Sequence, residues 1–204
     1  MGFTREHLRR AAAAIADRAE AAAEELNGQD AKLGDGDLGI TVSTGWREVA
    51  KDAEALPEDL GQAFLACAKA FQRVSSSSFG TLVATAFMSA AKATKGRSEA
   101  EWREVADLLA AARDAMMARG RGSLGDKSLL DAVDAAAAAA QGLDDPAAIL
   151  ATVDRATDEV LDRFRGQPNK LGRARMFGEK SVGLDDPGML AFRRVLDGLT
   201  GQHH

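Results

Sequence analysis

Asp30, Asp35 and Asp37 stand close together in GQDAKLGDGDLG, residues 28–39. Three carboxylates at this spacing repel one another unless a cation neutralises them. The glycines between them let the backbone turn until the oxygens converge, and an all-oxygen set selects hard cations such as Mg²⁺, Mn²⁺ or Ca²⁺. An EF-hand loop is excluded. Counted from Asp30 its closing position falls on Thr41, and counted from Asp35 on Trp46, and neither is the glutamate required. A competing reading makes these aspartates turn formers and Asp37 a helix cap. That reading serves for Asp37 alone and less well for the trio.

GDGDLGIT also runs into a helical pattern, so loop N–H groups and a helix N-terminus could accept an anion beside the metal. This is not a P-loop, because Gly125-Asp126-Lys127-Ser128 imitates only its end and lacks the upstream glycine. It is not a dinucleotide fingerprint either, since no strand precedes the glycines. Ser75-Ser76-Ser77-Ser78-Phe79-Gly80-Thr81 is a second candidate phosphate cradle, although a serine run alone is more often a loop with an N-cap. The third stretch runs from Gly172-Arg173 to Asp185-Asp186-Pro187-Gly188. There Arg173, Arg175 and Lys180 could offset phosphate charge, while Asp186 before Pro187 also suits an ordinary N-cap.

The elements that must position these residues read as helices. Periodicity gives segments over 4–26, 38–56, 58–73, 81–94, 98–119, 126–141, 145–165 and from 187 to about 198, with Asn27-Gly28 as the first stop and Ser98 as an N-cap. Residues 166–186 read as irregular. Many of the 20 glycines fall at 34–39, 80, 120–125 and 172–188. In an up-and-down bundle alternate loops share one end, so these stretches are expected to meet there.

Composition narrows the class. The 204 residues are 46% hydrophobic, rich in alanine and without tyrosine, which favours one all-α domain over 1–204. A net charge of −5 argues against a nucleic-acid module. No apolar run approaches the ~20 residues that span a bilayer, and the sequence reads as cytoplasmic, with no membrane partner. Cys67 is expected to be a buried thiol. Apart from His203 and His204 at the end of the chain, His7 is the sole histidine, so zinc and Ser-His-Asp chemistries are disfavoured.

Read in order, the motifs resemble the L subunit of dihydroxyacetone kinase, equivalently the nucleotide-binding domain of the single-chain kinases. The resemblance rests on Asp30 with GDGDLG at 34–39, the Ser/Gly turn at 78–80, RG at 119–120, GDKS at 125–128 and GRARMFGEKSVGLDDPG at 172–188. It implies an eight-helix antiparallel up-and-down barrel with ATP or ADP at one end. Asp30, Asp35 and Asp37 would hold two Mg²⁺ ions and, with Arg173, form the catalytic set. Leu38, Gly39, Thr41, Ser78, Phe79 and Gly80 would line the phosphates, Gly120 and Leu129 would flank adenine or ribose, and Arg173 and Asp186 would close the site. Leu38 and Thr41 depart from the His and Asn usual in the family. The implied activity is phosphoryl transfer to a small keto-sugar held by a separate sugar-binding subunit, with ATP or a phosphocarrier protein as donor, and with a homodimer left open. Two further readings of the same chain are an ADP-binding sensor or coregulator and a helical bundle without ligand.

Overall fold

A computed structural model describes residues 2–201; His203 and His204 lie outside the described residues. Nine α-helices are found among them: α1 (Arg5–Ala21), α2 (Ala23–Leu33), α3 (Leu38–Ala53), α4 (Leu60–Val74), α5 (Ser78–Ala93), α6 (Val105–Gly120), α7 (Leu129–Ala140), α8 (Pro146–Arg165) and α9 (Pro187–Thr200). α1 and α2 form one rod interrupted only at Ala22, whose N–H still donates to the Arg18 carbonyl at 2.9 Å. Eight rods therefore alternate in direction. Each packs on the next, and α9 packs back on α1 to close the ring.

Small residues make this closure tight. A Cβ on Gly198 of α9 would lie 2.8 Å from the Ile15 Cα of α1, and one on Gly45 of α3 would enter the Phe71 ring of α4. The main core cluster joins α1, α2, α3 and α4 through Ile15, Leu26, Val42, Trp46, Val49 and Phe71. The Cys67 thiol lies in this cluster, and burial pushes its pKa up to about 12, so it stays an unreactive core group.

The local signals account for most helix starts. Asp59 accepts from the Gln62 N–H and Asp145 from the Ala148 N–H, both at 2.8 Å, and Pro146 follows Asp145 at N1, where its missing N–H costs nothing. Four expectations fail. Asn27-Gly28 does not stop the first rod, which runs on to Leu33, so Asp30 lies in a helix and not in a loop. Ser98 is not an N-cap: Glu99–Ala100 pairs antiparallel with Phe3–Thr4, and a short 3-10 turn over Trp102–Glu104 leads into α6. Helix α7 begins at Leu129 rather than 126, because the Ser128 side chain caps it. Within 166–186, residues Ala174–Ser181 form 3-10 turns. His7, in the first turn of α1, is half-buried, its Nδ1 accepting from the Thr4 N–H at 3.1 Å.

Because the rods alternate, the connections after α2, α4, α6 and α8 lie at one end, as the glycine positions predicted. A cleft of about 530 Å³ opens there. Among the described residues no helix is long and apolar enough to cross a membrane.

Candidate functional site

Asp30 occupies the last turn of α2, while Asp35 and Asp37 lie in the turn that follows. Each offers one carboxylate oxygen, and these oxygens lie within 4.8 Å of one another. The turn is shaped by Asp30 itself, whose Oδ2 accepts from the N–H groups of Gly36 (2.9 Å) and Asp37 (3.1 Å). Gly36 has φ +79°, in the left-handed region that favours glycine. Gly34 leaves room for the carboxylate: a Cβ there would lie 2.4 Å from Asp30 Oδ1.

The turn-former reading of Asp37 loses its main support. Asp37 stands at the N-cap of α3 yet makes no side-chain cap bond. Asn27 does that work from α2, its Oδ1 accepting from the N–H groups of Gly39 (2.8 Å) and Ile40 (3.3 Å). The Asp37 carboxylate is thereby left exposed beside its two neighbours. Arg173 ion-pairs with Asp35. Among the described residues no basic side chain pairs with Asp30 or Asp37. A concentration of hard oxygen donors, over-charged relative to its one guanidinium, fits Mg²⁺.

The cleft draws its walls mainly from helix N-termini. Leu38 and Thr41 open α3, Ser78, Phe79 and Leu82 belong to α5, Leu129 and Leu130 open α7, and Pro187 and Gly188 open α9. First-turn N–H groups and the helix dipole favour an anion at such ends. At α5 the Ser77 Oγ accepts from Gly80 N–H (3.0 Å) and lies 3.1 Å from Ser75 Oγ. A Cβ on Gly80 would meet Ser75 Oγ at 2.1 Å, so the serine turn depends on that glycine.

The apolar half of the cleft is held by a buried polar scaffold. Asp131, in the first turn of α7, accepts from Gly125 N–H (2.6 Å) and Ser128 N–H (2.9 Å), fixing the turn before Leu129. Burial raises the Asp131 pKa, opposed by these same bonds. Lys127 is buried, with φ +58°, and donates to the carbonyls of Gln167 (2.8 Å), Ser181 (2.9 Å) and Arg165 (3.4 Å). Burial lowers its pKa, against the pull of Asp186 and Asp185. Asp186 caps α9 through Met189 N–H (2.8 Å) and accepts from Asn169 Nδ2 (2.8 Å).

Burial pushes the Asp186 pKa up to about 7, despite the N–H groups of Met189 and Gly188 and the charge of Lys127. Its folded value lies above the ordinary carboxylate value, so the folded state binds the extra proton. The stability it contributes is full below about pH 4 and is lost as pH rises to about 7, on the order of 2–4 kcal/mol. Asp186→Asn is expected to flatten that slope in urea denaturation measured across this window. An unchanged slope would show that Asp186 does not titrate there.

Of the residues expected from the sequence, Asp30, Asp35, Asp37, Leu38, Thr41, Ser78, Phe79, Leu129, Arg173 and Asp186 line this one cleft. Gly39, Gly80 and Gly120 do not line it and stand behind its walls. A Cβ on Gly39 would strike the Ala23 carbonyl at 1.9 Å, and one on Gly120 would touch Leu82 at 3.3 Å. Arg175 and Lys180 are exposed outside it. Sequence reasoning missed Asn27, read as a helix stop; Lys127, dismissed as an imitation of a P-loop; and Asn169, which nothing local singles out.

Comparison with known proteins identifies the family and the fold. The chain is 32% identical to L-erythrulose 1-kinase of Mycolicibacterium smegmatis over 88% of its own length, but spans only 32% of that protein. It is 28% identical to the ADP-binding subunit DhaL of the PEP-dependent dihydroxyacetone kinase of Escherichia coli, covering 81% of both chains. The crystal structure of dihydroxyacetone kinase from C. freundii in complex with AMP-PNP and Mg²⁺ superposes with a TM-score of 0.76 at 21% identity, over all of this chain and 35% of that one. That likeness establishes the helical fold. The model of the DAK2 domain matches residues 32–201, and the chain therefore belongs to the DAK2 domain family.

Proposed function

We propose that this chain is the nucleotide- and Mg²⁺-binding phosphotransfer subunit of a dihydroxyacetone-type kinase, folded as a single domain over 1–204 and acting with a separate sugar-binding subunit. One observation carries the reading: three converging carboxylates share a cleft with the N-termini of four helices. Mg²⁺ held by Asp30, Asp35 and Asp37, two ions in the full complement, would neutralise phosphate charge as a phosphoryl group passes in line to a hydroxyl. The Ser77-capped turn of α5 would receive the phosphates, and Leu129, Leu130 and Gly188 would face the nucleoside. Arg173, paired with Asp35 in the free chain, would exchange that carboxylate for a phosphate oxygen. Native mass spectrometry tests this directly. Bound ADP or ATP with one or two Mg²⁺ is expected, and a ligand-free mass after incubation with Mg-ADP would refute it.

The rim supports the need for a partner. Ile40 (59% exposed), Val74, Leu124, Met176 (74%) and Val182 surround the site end and include most of the exposed large apolar side chains among the described residues. A sugar-bearing subunit docking here would cover them. Changing Ile40 and Met176 together to glutamate should lower partner-dependent turnover about tenfold or more while leaving Mg-ADP affinity within about twofold. Equal losses in both would remove this rim as the docking face.

A second reading is an ADP-carrying sensor or a module recharged by a phosphocarrier protein. It is favoured by Leu38, an apolar, buried side chain in the cleft wall directly beside Asp37. Nucleotide exchange separates the two. ADP freely displaced by labelled ATP marks an ATP-driven kinase, and ADP retained through exchange marks the carrier or sensor. Sedimentation of the chain alone decides whether it forms a homodimer.

A further inference from the structure

We propose that Asn169 is a positioning residue for nucleotide binding, fixing the nucleoside-side wall of the cleft without touching the ligand; this rests on the nucleotide reading above. Asn169 lies in the irregular stretch after α8 and is 3% exposed. Its backbone N–H donates to Ser181 Oγ at 2.8 Å, and its Nδ2 donates both to the Lys127 carbonyl at 2.9 Å and to Asp186 Oδ2 at 2.8 Å. Lys127 answers from the other side, donating to the carbonyls of Gln167 and Ser181 on the same segment.

Asn169 does not line the cleft, yet every chain segment it grips enters the cleft within a few residues. Lys127 is followed by Ser128, Leu129 and Leu130; Asn169 itself is followed by Leu171, Gly172 and Arg173; Asp186 opens onto Pro187 and Gly188. One amide thus sets the spacing of three wall segments contributed by loops far apart in sequence. It does so at a cost in stability. Asn169 Oδ1 is buried and has no hydrogen-bond partner among the described residues, a desolvation loss that an apolar side chain of similar size would avoid. What such a side chain cannot do is offer two N–H groups to a carbonyl and a carboxylate at once. The charge acting on Asp186 is that of Lys127, from the loop before α7, and Lys127 in turn feels Asp185 and its ion-pair partner Arg165. None of these three side chains bonds to the Asp186 carboxylate, whose side-chain partner is Asn169.

The test uses the intact chain with Asn169→Asp, Asn169→Ala and Asn169→Ser, titrated calorimetrically with Mg-ADP at a temperature where circular dichroism shows each to be folded. If wild type gives no heat, the nucleotide reading itself fails, and that result is separate from any variant. Given wild-type binding, Asn169→Ala is expected to weaken Mg-ADP about tenfold or more. In Asn169→Asp two carboxyl groups face each other and share a proton, which restores the Asp186 contact but not the donor to the Lys127 carbonyl, so its affinity should lie between those of Asn169→Ala and wild type at about pH 5.5 and fall to the alanine level or below by about pH 8. A merely structural asparagine would lower the unfolding temperature without moving the affinity of folded protein or its pH profile. If Asn169→Asp unfolds at the higher pH, Asn169→Ser decides by the same criterion as alanine. Affinities within about twofold of wild type for the folded variants at every pH would overturn the proposal.

Discussion

Asp30→Ala is expected to lower Mg-ADP affinity by at least about 100-fold, the largest functional effect of any single substitution in the cleft. Its two oxygens have different tasks. Oδ2 accepts from the N–H groups of Gly36 and Asp37 and so holds the turn closed, while the carboxylate also contributes to the three-oxygen cluster. Alanine removes a ligand and at the same time releases the turn that brings Asp37 to the other two carboxylates. Losing one charged ligand costs about 1–3 kcal/mol, and losing the turn adds a comparable amount. Asp35→Asn should cost only the first of these, because Asp35 is exposed and its loss frees Arg173. Isothermal titration with and without Mg²⁺ measures both. An Asp30→Ala affinity within about twofold of wild type would remove the trio from the metal assignment, whatever the behaviour of Asp35.

Asp197→Ala is expected to destabilise the fold by about 3–5 kcal/mol, the largest stability effect, without altering any residue of the cleft. Asp197 is fully buried, and three arginines converge on it. Arg18 Nη2 (3.1 Å) and Arg194 Nη1 (2.9 Å) reach Oδ2, and Arg193 Nη1 lies 2.8 Å from Oδ1, an ion contact outside hydrogen-bond alignment. The network extends from Arg193 to Asp154 and Asp158 of α8 and from Arg194 to Glu25 of α2. It therefore lies at the seam where α9 meets α1 and the ring of helices closes. Removing the carboxylate takes from Arg18 and Arg193, both nearly inaccessible, the buried acceptor on which they converge at that seam. For a chain of this length the midpoint of thermal unfolding should fall by about 10 °C or more. A loss below about 1 kcal/mol in urea denaturation would mean that water reaches these guanidinium groups and screens them.

What could be read from the sequence divides by range. The convergence of the Asp trio was legible because its argument is local: the glycines between residues 30 and 37 let the turn after α2 fold back on Asp30 wherever that turn sits. The shared end of four loops was legible because alternating direction forces it. The rods themselves followed from alanine-rich periodicity, which tertiary packing reinforces at Gly45 and Gly198 and does not oppose. Failures came where a partner distant in sequence outweighed a local signal. Asn27-Gly28 is a reasonable stop, yet Asn27 reaches across to the first turn of α3, and that bond is available only if α2 continues. Ser98 is a reasonable cap, yet residues 99–100 are taken up by pairing with residues 3–4. Lys127 carries only the misleading likeness to the end of a P-loop, and Asn169 carries no local signature at all. Their bonds cross roughly forty residues of intervening chain, and an exposed lysine and an ordinary loop asparagine would look the same on paper.

The closure of α9 on α1 has a consequence for how the chain can be rearranged. α1 starts, and α9 finishes, at the end opposite the cleft, and the two helices lie side by side. A short bridge from residue 201 to residue 2 would join neighbours. The connection at 54–59, between α3 and α4 at that same end, could then be cut to give new termini. Such a circular permutant keeps all four cleft loops uncut. By the same geometry, a further domain fused at either end would hang from the base of the barrel and leave the mouth open.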